Sequence, residues 1–154
     1  MNQELKAFLE SVSVSRTEQE RLRERIAELE SRCTKITASL TGMPSSGNAD
    51  AQRQWAALAD EKSRLVKQLQ REMQKARRVE EFLLRLPVRL YRDVLMRRYV
   101  NLQTVPKITE ALAHSGKKRS QRQVERIISN AEREAERLWN TKPTTHWMKG
   151  ENNE

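Results

Sequence analysis

Along the first half of the chain, apolar residues recur at alternating intervals of three and four. They are Leu5, Phe8 and Val12, then Leu22, Ile26, Leu29, Cys33, Ile36 and Leu40, with the polar Ser15 and Gln19 keeping the register between them. A stripe at this spacing falls on one side of a helix and predicts a coiled-coil seam. A second stripe runs through Trp55, Leu58, Lys62, Leu65, Leu69, Glu72, Ala76, Val79, Leu83 and Leu86. Thr41–Asp50 lies between the stripes and holds Gly42, Pro44 and Gly47, a chain-reversing composition. The expectation is a long antiparallel helical hairpin (coiled coil) over residues 1–86 with its turn at 41–50 and with Asn48 or Asp50 capping the second arm. A kink or fresh helix start is expected where Ser11–Ser15 weakens the first seam, beside the Thr17-x-x-Glu20 capping-box pattern. Two helices alone bury little apolar surface, and Trp55, Val66, Met73 and Phe82 lie partly off the seam. The hairpin is therefore expected either to form a homodimer as a four-helix bundle or to dock against the C-terminal part.

The period changes after Leu86-Pro87, since proline disfavours helix in the residue before it but suits the first turn of a new one. Val88, Leu90, Tyr91, Val94, Leu95 and Tyr99 then predict a helix up to about Val100. Thr104 caps a short second helix with Pro106 in its first turn and Val105, Ile108, Ala111 and Leu112 inward, ending near Ala113. After the basic turn His114–Arg119, Ser120 caps a third helix whose inward stripe is Val124, Ile127, Ile128, Ala131, Ala135 and Leu138. The fold class expected is all-α, with a three-helix domain over 87–139 and a flexible tail over 140–154, which shows no helical stripe. Within that tail Trp147 is the residue able to pack on a neighbour.

Composition narrows the chemistry. The chain has 154 residues, 30 Lys plus Arg against 21 Asp plus Glu, and a formal net charge of +9. With one cysteine, Cys33, and the two histidines His114 and His146, it cannot supply a disulfide framework or the usual zinc-ligand set, so no metal and no cofactor is expected. At a seam position Cys33 reads as a small buried hydrophobe. No stretch is long and apolar enough for a membrane span, and Met1–Ser15 lacks the zones of a secretory signal, so a cytoplasmic protein without membrane attachment is expected. A phosphate-cradling glycine loop, a carboxylate pair in an apolar pocket and a nucleophile–base pair are all missing from the pattern, which points away from an enzyme.

Excess positive charge favours a polyanionic partner, and its position says where. The part after Glu80 carries twice the net positive charge of the part before it. Lys117, Lys118, Arg119, Arg122, Arg126 and Arg133 face only Glu125 and Glu132 in the stretch 114–133. By contrast, Thr17–Arg32 mixes both signs at close spacing, the mark of a solvated helix surface. A helix, a short helix, a glycine-bearing turn and a longer helix with a basic leading end make a helix-turn-helix pattern. In that arrangement the segment 120–139 is the recognition helix for the major groove of double-stranded DNA. Its outward Gln121, Arg122, Glu125 and Arg126 have the donors and acceptors that read base edges. Thr104, Lys107, Lys117, Lys118, Arg119 and Ser120 are the expected phosphate contacts.

Two resemblances follow from particular residues. Leu86-Pro87, Leu95–Val100, Ile108–Leu112, Ser120–Ile127 and Leu138 resemble region 4 of bacterial sigma factors, over roughly residues 86–139. The interval between Ile108 and Val124 is longer than in that pattern, the added residues falling in His114–Arg119. Separately, Thr34–Gly47 is similar to the hairpin tip of small phage and prophage transcriptional regulators of the ArpU and RinA type. The resemblance implies a regulator of phage or prophage transcription in a bacterial host cell, with Gln121, Arg122, Glu125 and Arg126 at promoter-contacting positions. The hairpin would then be an oligomerisation arm or a contact surface for RNA polymerase. The competing readings are a small terminase-like subunit of phage packaging and a protein-interaction module that binds bacterial RNA polymerase without DNA.

Overall fold

The computed structural model of the chain describes residues 1–40 and 48–149. Every regular element among them is helical, so the chain is all-α as expected. The elements are α1 (Gln3–Leu40), α2 (Asn48–Leu84), α3 (Arg89–Leu95), α4 (Val105–His114), α5 (Gln121–Trp139) and α6 (Thr144–Lys149). A wider π-helical turn, Met96–Val100, extends α3. The expected turn at 41–50 lies for the most part outside the described residues, except that Asn48–Asp50 already belongs to α2.

The chain divides into two compact units. One is Arg16–Met73 and the other joins Met1–Ser15 to everything from Gln74 onward. This differs from a boundary at Leu86-Pro87. The physical reason is an aromatic cluster that draws the start of α1 and the end of α2 into one core with α5 and α6. Phe8 lies 5.0 Å from Trp139 and 5.7 Å from Phe82, centroid to centroid, and Phe82 lies 5.6 Å from Trp139 and 5.1 Å from Trp147. Edge-on and tilted pairs at these separations add to the burial of large apolar rings. Leu5, Leu9, Val12, Val79, Leu83, Leu86, Leu95, Tyr99, Val100, Ala131 and Ala135 belong to the same core.

The segment expected to be a flexible tail is therefore corrected over 140–149. There α6 returns Trp147 to the core, where its indole N–H donates to the Trp139 carbonyl at 3.0 Å. Thr144 donates to the Glu4 carboxylate at 2.8 Å, and Arg78 donates to the Met148 carbonyl. A single buried aromatic has no periodicity, so a stripe search overlooks it.

The expected break near Thr17 is also absent, since α1 runs unbroken through Ser11–Ser15. Ser11 and Ser13 donate their hydroxyl protons to the carbonyls of Phe8 and Glu10, which satisfies them inside the helix, and Val12 is buried between them. In the unit Arg16–Met73, Gln19, Leu22 and Leu29 are buried, whereas Ile26, Cys33, Ile36, Leu58, Leu65 and Leu69 are only half-buried. Arg25 pairs with Glu61 at 3.3 Å and Lys62 with Glu30 at 2.9 Å, tying α1 to α2 there.

A second small core sits among α3, α4 and α5. Val94, Ile108, Leu112, Val124 and Ile128 are buried in it, with Leu90, Val105 and Ile127 packed against it. All eight were expected inward; Val88, also expected inward, is 42% exposed. The Tyr99 hydroxyl donates to Glu132 at 2.7 Å and fixes the middle of α5 to the π-helical turn. Burial, and then that hydrogen bond, push the Tyr99 phenol well above its ordinary value, so it stays a neutral donor. Between α4 and α5 the chain turns at Gly116, whose φ of +94° is one that an L side chain rarely adopts.

Candidate nucleic-acid interface

The start of α5 is held by a reciprocal cap. The Ser120 hydroxyl accepts from the Gln123 backbone N–H at 3.2 Å, while the Gln123 side-chain carbonyl accepts from the Ser120 N–H at 2.9 Å. The capping box fixes where the helix begins, and therefore which side chains its first turns present. Gln123 carried no assignment in the sequence reading, although Ser120-x-x-Gln123 has the spacing that would have shown it. Ser120→Ala is expected to lower stability by about 1 kcal/mol, as measured by denaturant unfolding.

Val124, Ile128, Ala131, Ala135 and Trp139 anchor one side of α5. At 100° per residue the opposite side holds Arg122, Arg126, Ser129, Arg133 and Arg137, every one exposed. Glu125 is also exposed but stands on the flank, sharing its stripe with Glu132 and Glu136. Of the four residues expected to read bases, Arg122 and Arg126 thus face away from the core, whereas Gln121 falls on the side of the buried stripe and is exposed as the first residue of the helix. Of the expected phosphate contacts, Thr104, Lys107, Lys117, Lys118 and Ser120 are exposed and Arg119 is half-buried. Thr104 takes the extended cap conformation before α4 without a side-chain capping bond.

The structure brings together Lys117, Lys118, Arg119 and Arg126. They line one open groove of about 640 Å³ between α3, the basic turn and α5, with Leu90, Tyr91, Gln123 and Ile127 as its other walls. Gln121, Arg122, Glu125, Thr104 and Lys107 are not part of that groove. Tyr91 was expected only as an inward residue; half-buried, it both packs against the aromatic core and forms part of the groove wall.

Many arginines on the other helices are neutralised locally, although Arg64, Lys67 and Arg71 of α2 have no carboxylate pair among the described residues. Arg21, Arg25, Arg32, Arg53, Arg77 and Arg97 each pair with a carboxylate, in most cases one turn away on the same helix. Among the described residues no carboxylate pairs with Arg122, Arg126 or Arg133, nor with Lys117, Lys118 or Arg119. Cations collected without partners, beside the positive end of a 19-residue helix, present an attractive potential to an anion. No cluster of side chains able to hold a metal ion occurs among the described residues. No described helix is long and apolar enough to cross a membrane. Comparison with known proteins finds no matching family model, no matching curated protein and no matching solved structure.

Proposed function

We propose that this protein is a sequence-specific double-stranded-DNA-binding regulator that uses α4 and α5 as a helix-turn-helix, with α5 in the major groove. The observation that carries the proposal is the division of α5 into two faces. Its aliphatic face is sunk into α3 and α4, and its opposite face holds Arg122 and Arg126 without carboxylate partners, next to the cationic turn Lys117–Arg119. A helix anchored in this way is narrow enough for the ~12 Å groove, and its guanidinium groups have the geometry for bidentate contact with guanine. Lys117, Lys118 and Arg119 supply the backbone contacts that set register.

The regulatory role in phage or prophage transcription rests on the residue resemblances to sigma region 4 and to the ArpU and RinA type of regulator. In this reading α1 and α2 form the antiparallel hairpin, supported by the Arg25–Glu61 and Lys62–Glu30 ties, and the half-buried seam of Arg16–Met73 serves a homodimer reading paired half-sites.

The test is selection of bound fragments from a random duplex pool, followed by anisotropy titration of the enriched duplex over a salt series. The expected result is one enriched motif and an affinity that falls linearly in log–log form with salt. Absence of binding to any duplex at low salt would refute the reading in favour of a protein-interaction module.

A further inference from the structure

From residue spacing, DNA contact is expected at the first two turns of α5, the basic turn and the start of α4. The basic ridge continues beyond them. Arg133 and Arg137 lie on the same side of α5 as Arg122 and Arg126, and the four span about 22 Å at 1.5 Å per residue. Arg133 has no carboxylate partner among the described residues. Arg137 pairs with Glu134 at 3.2 Å while its side chain remains 79% exposed, an exchangeable surface contact. The second half of the ridge therefore offers one unpaired guanidinium, Arg133, and one, Arg137, held only in an exposed surface pair.

Resting on the DNA-binding reading above, we propose that Arg133 and Arg137 are phosphate-binding residues, so that α5 engages a duplex along its whole length. The geometry follows from a straight helix meeting a curved groove. If the leading turns of α5 sit at the base edges, a rigid rod continuing for three more turns leaves the groove floor and crosses the strand that walls it. Side chains on the outer ridge at that point meet backbone oxygens and not bases. Arginine suits the position, because its planar fork binds phosphate bidentately. The rod is rigid at the required place: Ala131, Ala135 and Trp139 are buried beneath the ridge, and Tyr99 holds Glu132. Charge favours approach at the leading half from the side of the Lys117–Arg119 groove, since the exposed Glu125 lies on the other flank; along the second half, the half-buried Glu134 and Glu136 stand on either side of the ridge.

The experiment is anisotropy titration of a fluorescein-labelled random-sequence duplex, and of a selected duplex, over a salt series. The proteins are the full chain, Arg133→Ala, Arg137→Ala and the double variant, with far-UV circular dichroism as the control for folding at these exposed positions. Each replacement is expected to weaken both duplexes alike, several-fold at moderate salt, and to reduce the log–log salt slope by about one. Preference for the selected duplex over the random one should be unchanged. A parent chain that binds with a steep slope while both variants keep that slope overturns the assignment of Arg133 and Arg137 and leaves the DNA-binding reading standing. A parent chain that binds neither duplex overturns both.

Discussion

Replacing Trp139 by alanine is expected to cost about 3–5 kcal/mol, enough to consume much of the 5–15 kcal/mol by which a domain is usually stable. The indole is 2% exposed and meets Phe8, Phe82 and Trp147, so truncation leaves a cavity walled by three rings from three helices. None of those rings can collapse into the gap without moving its own helix. Trp139→Phe is the informative companion. The Trp139 indole nitrogen is buried with no hydrogen-bond partner among the described residues, a state that itself costs free energy. Phenylalanine keeps most of the apolar contact and removes the orphaned donor, so it should lose less than half of what alanine loses. Urea unfolding followed by circular dichroism measures both. A Trp139→Ala protein as stable as its parent would mean that α1, α2 and α5 do not share a core.

The second large effect falls on recognition. Arg122→Ala combined with Arg126→Ala is expected to abolish discrimination between a selected duplex and a random one. Each bidentate base contact is worth about 1–3 kcal/mol, so two together account for a preference of one to several orders of magnitude. Both side chains are exposed and lie opposite the buried stripe of α5, so the fold should be unaffected. Lys117→Ala with Lys118→Ala should behave differently, weakening every duplex by a similar factor and flattening the salt dependence. Competition titrations at fixed salt separate the two behaviours. Retention of full discrimination by the double arginine variant would show that α5 is not the reading element.

Residue spacing made much of this molecule legible, and the failures share one physical cause. The cap at Ser120 and most of the stripes of α4 and α5 are local, set by periods of a few residues and by one side chain reaching one backbone amide, and stand where spacing put them. The exceptions are the α1 stripe, whose Ile26, Cys33 and Ile36 are only half-buried, and the end of the α5 stripe, which buries Trp139 where Leu138 was expected. What escaped was contact between residues remote in sequence. Trp147 belongs to a six-residue helix too short to show a period, and its partners Phe82 and Trp139 are distant along the chain, so the segment read as a tail. The division at Ser15 and Met73 escaped for the same reason, since it follows from where Phe8 and Phe82 find aromatic neighbours. The serines near Val12 misled in the opposite direction: their preference for non-helical turns is overridden when the hydroxyl bonds the preceding turn of a helix whose other side is buried.

The candidate site divides in a similar way. Outward exposure of Arg122 and Arg126 follows from the buried stripe alone, whereas Gln121 lies on the stripe's own side and is exposed because α5 begins there. The groove that unites Arg126 with Lys117–Arg119 requires α3 to supply Tyr91, a residue whose apolar neighbours made it look wholly inward.

Titrating isotope-labelled protein with a selected duplex while following backbone amide resonances reports which surface meets the nucleic acid without altering any residue. Shifts are expected to concentrate from Lys117 through Arg137, strongest around the basic turn and the outer ridge of α5. Shifts confined to Arg16–Met73, with α5 silent, would contradict DNA binding through α5.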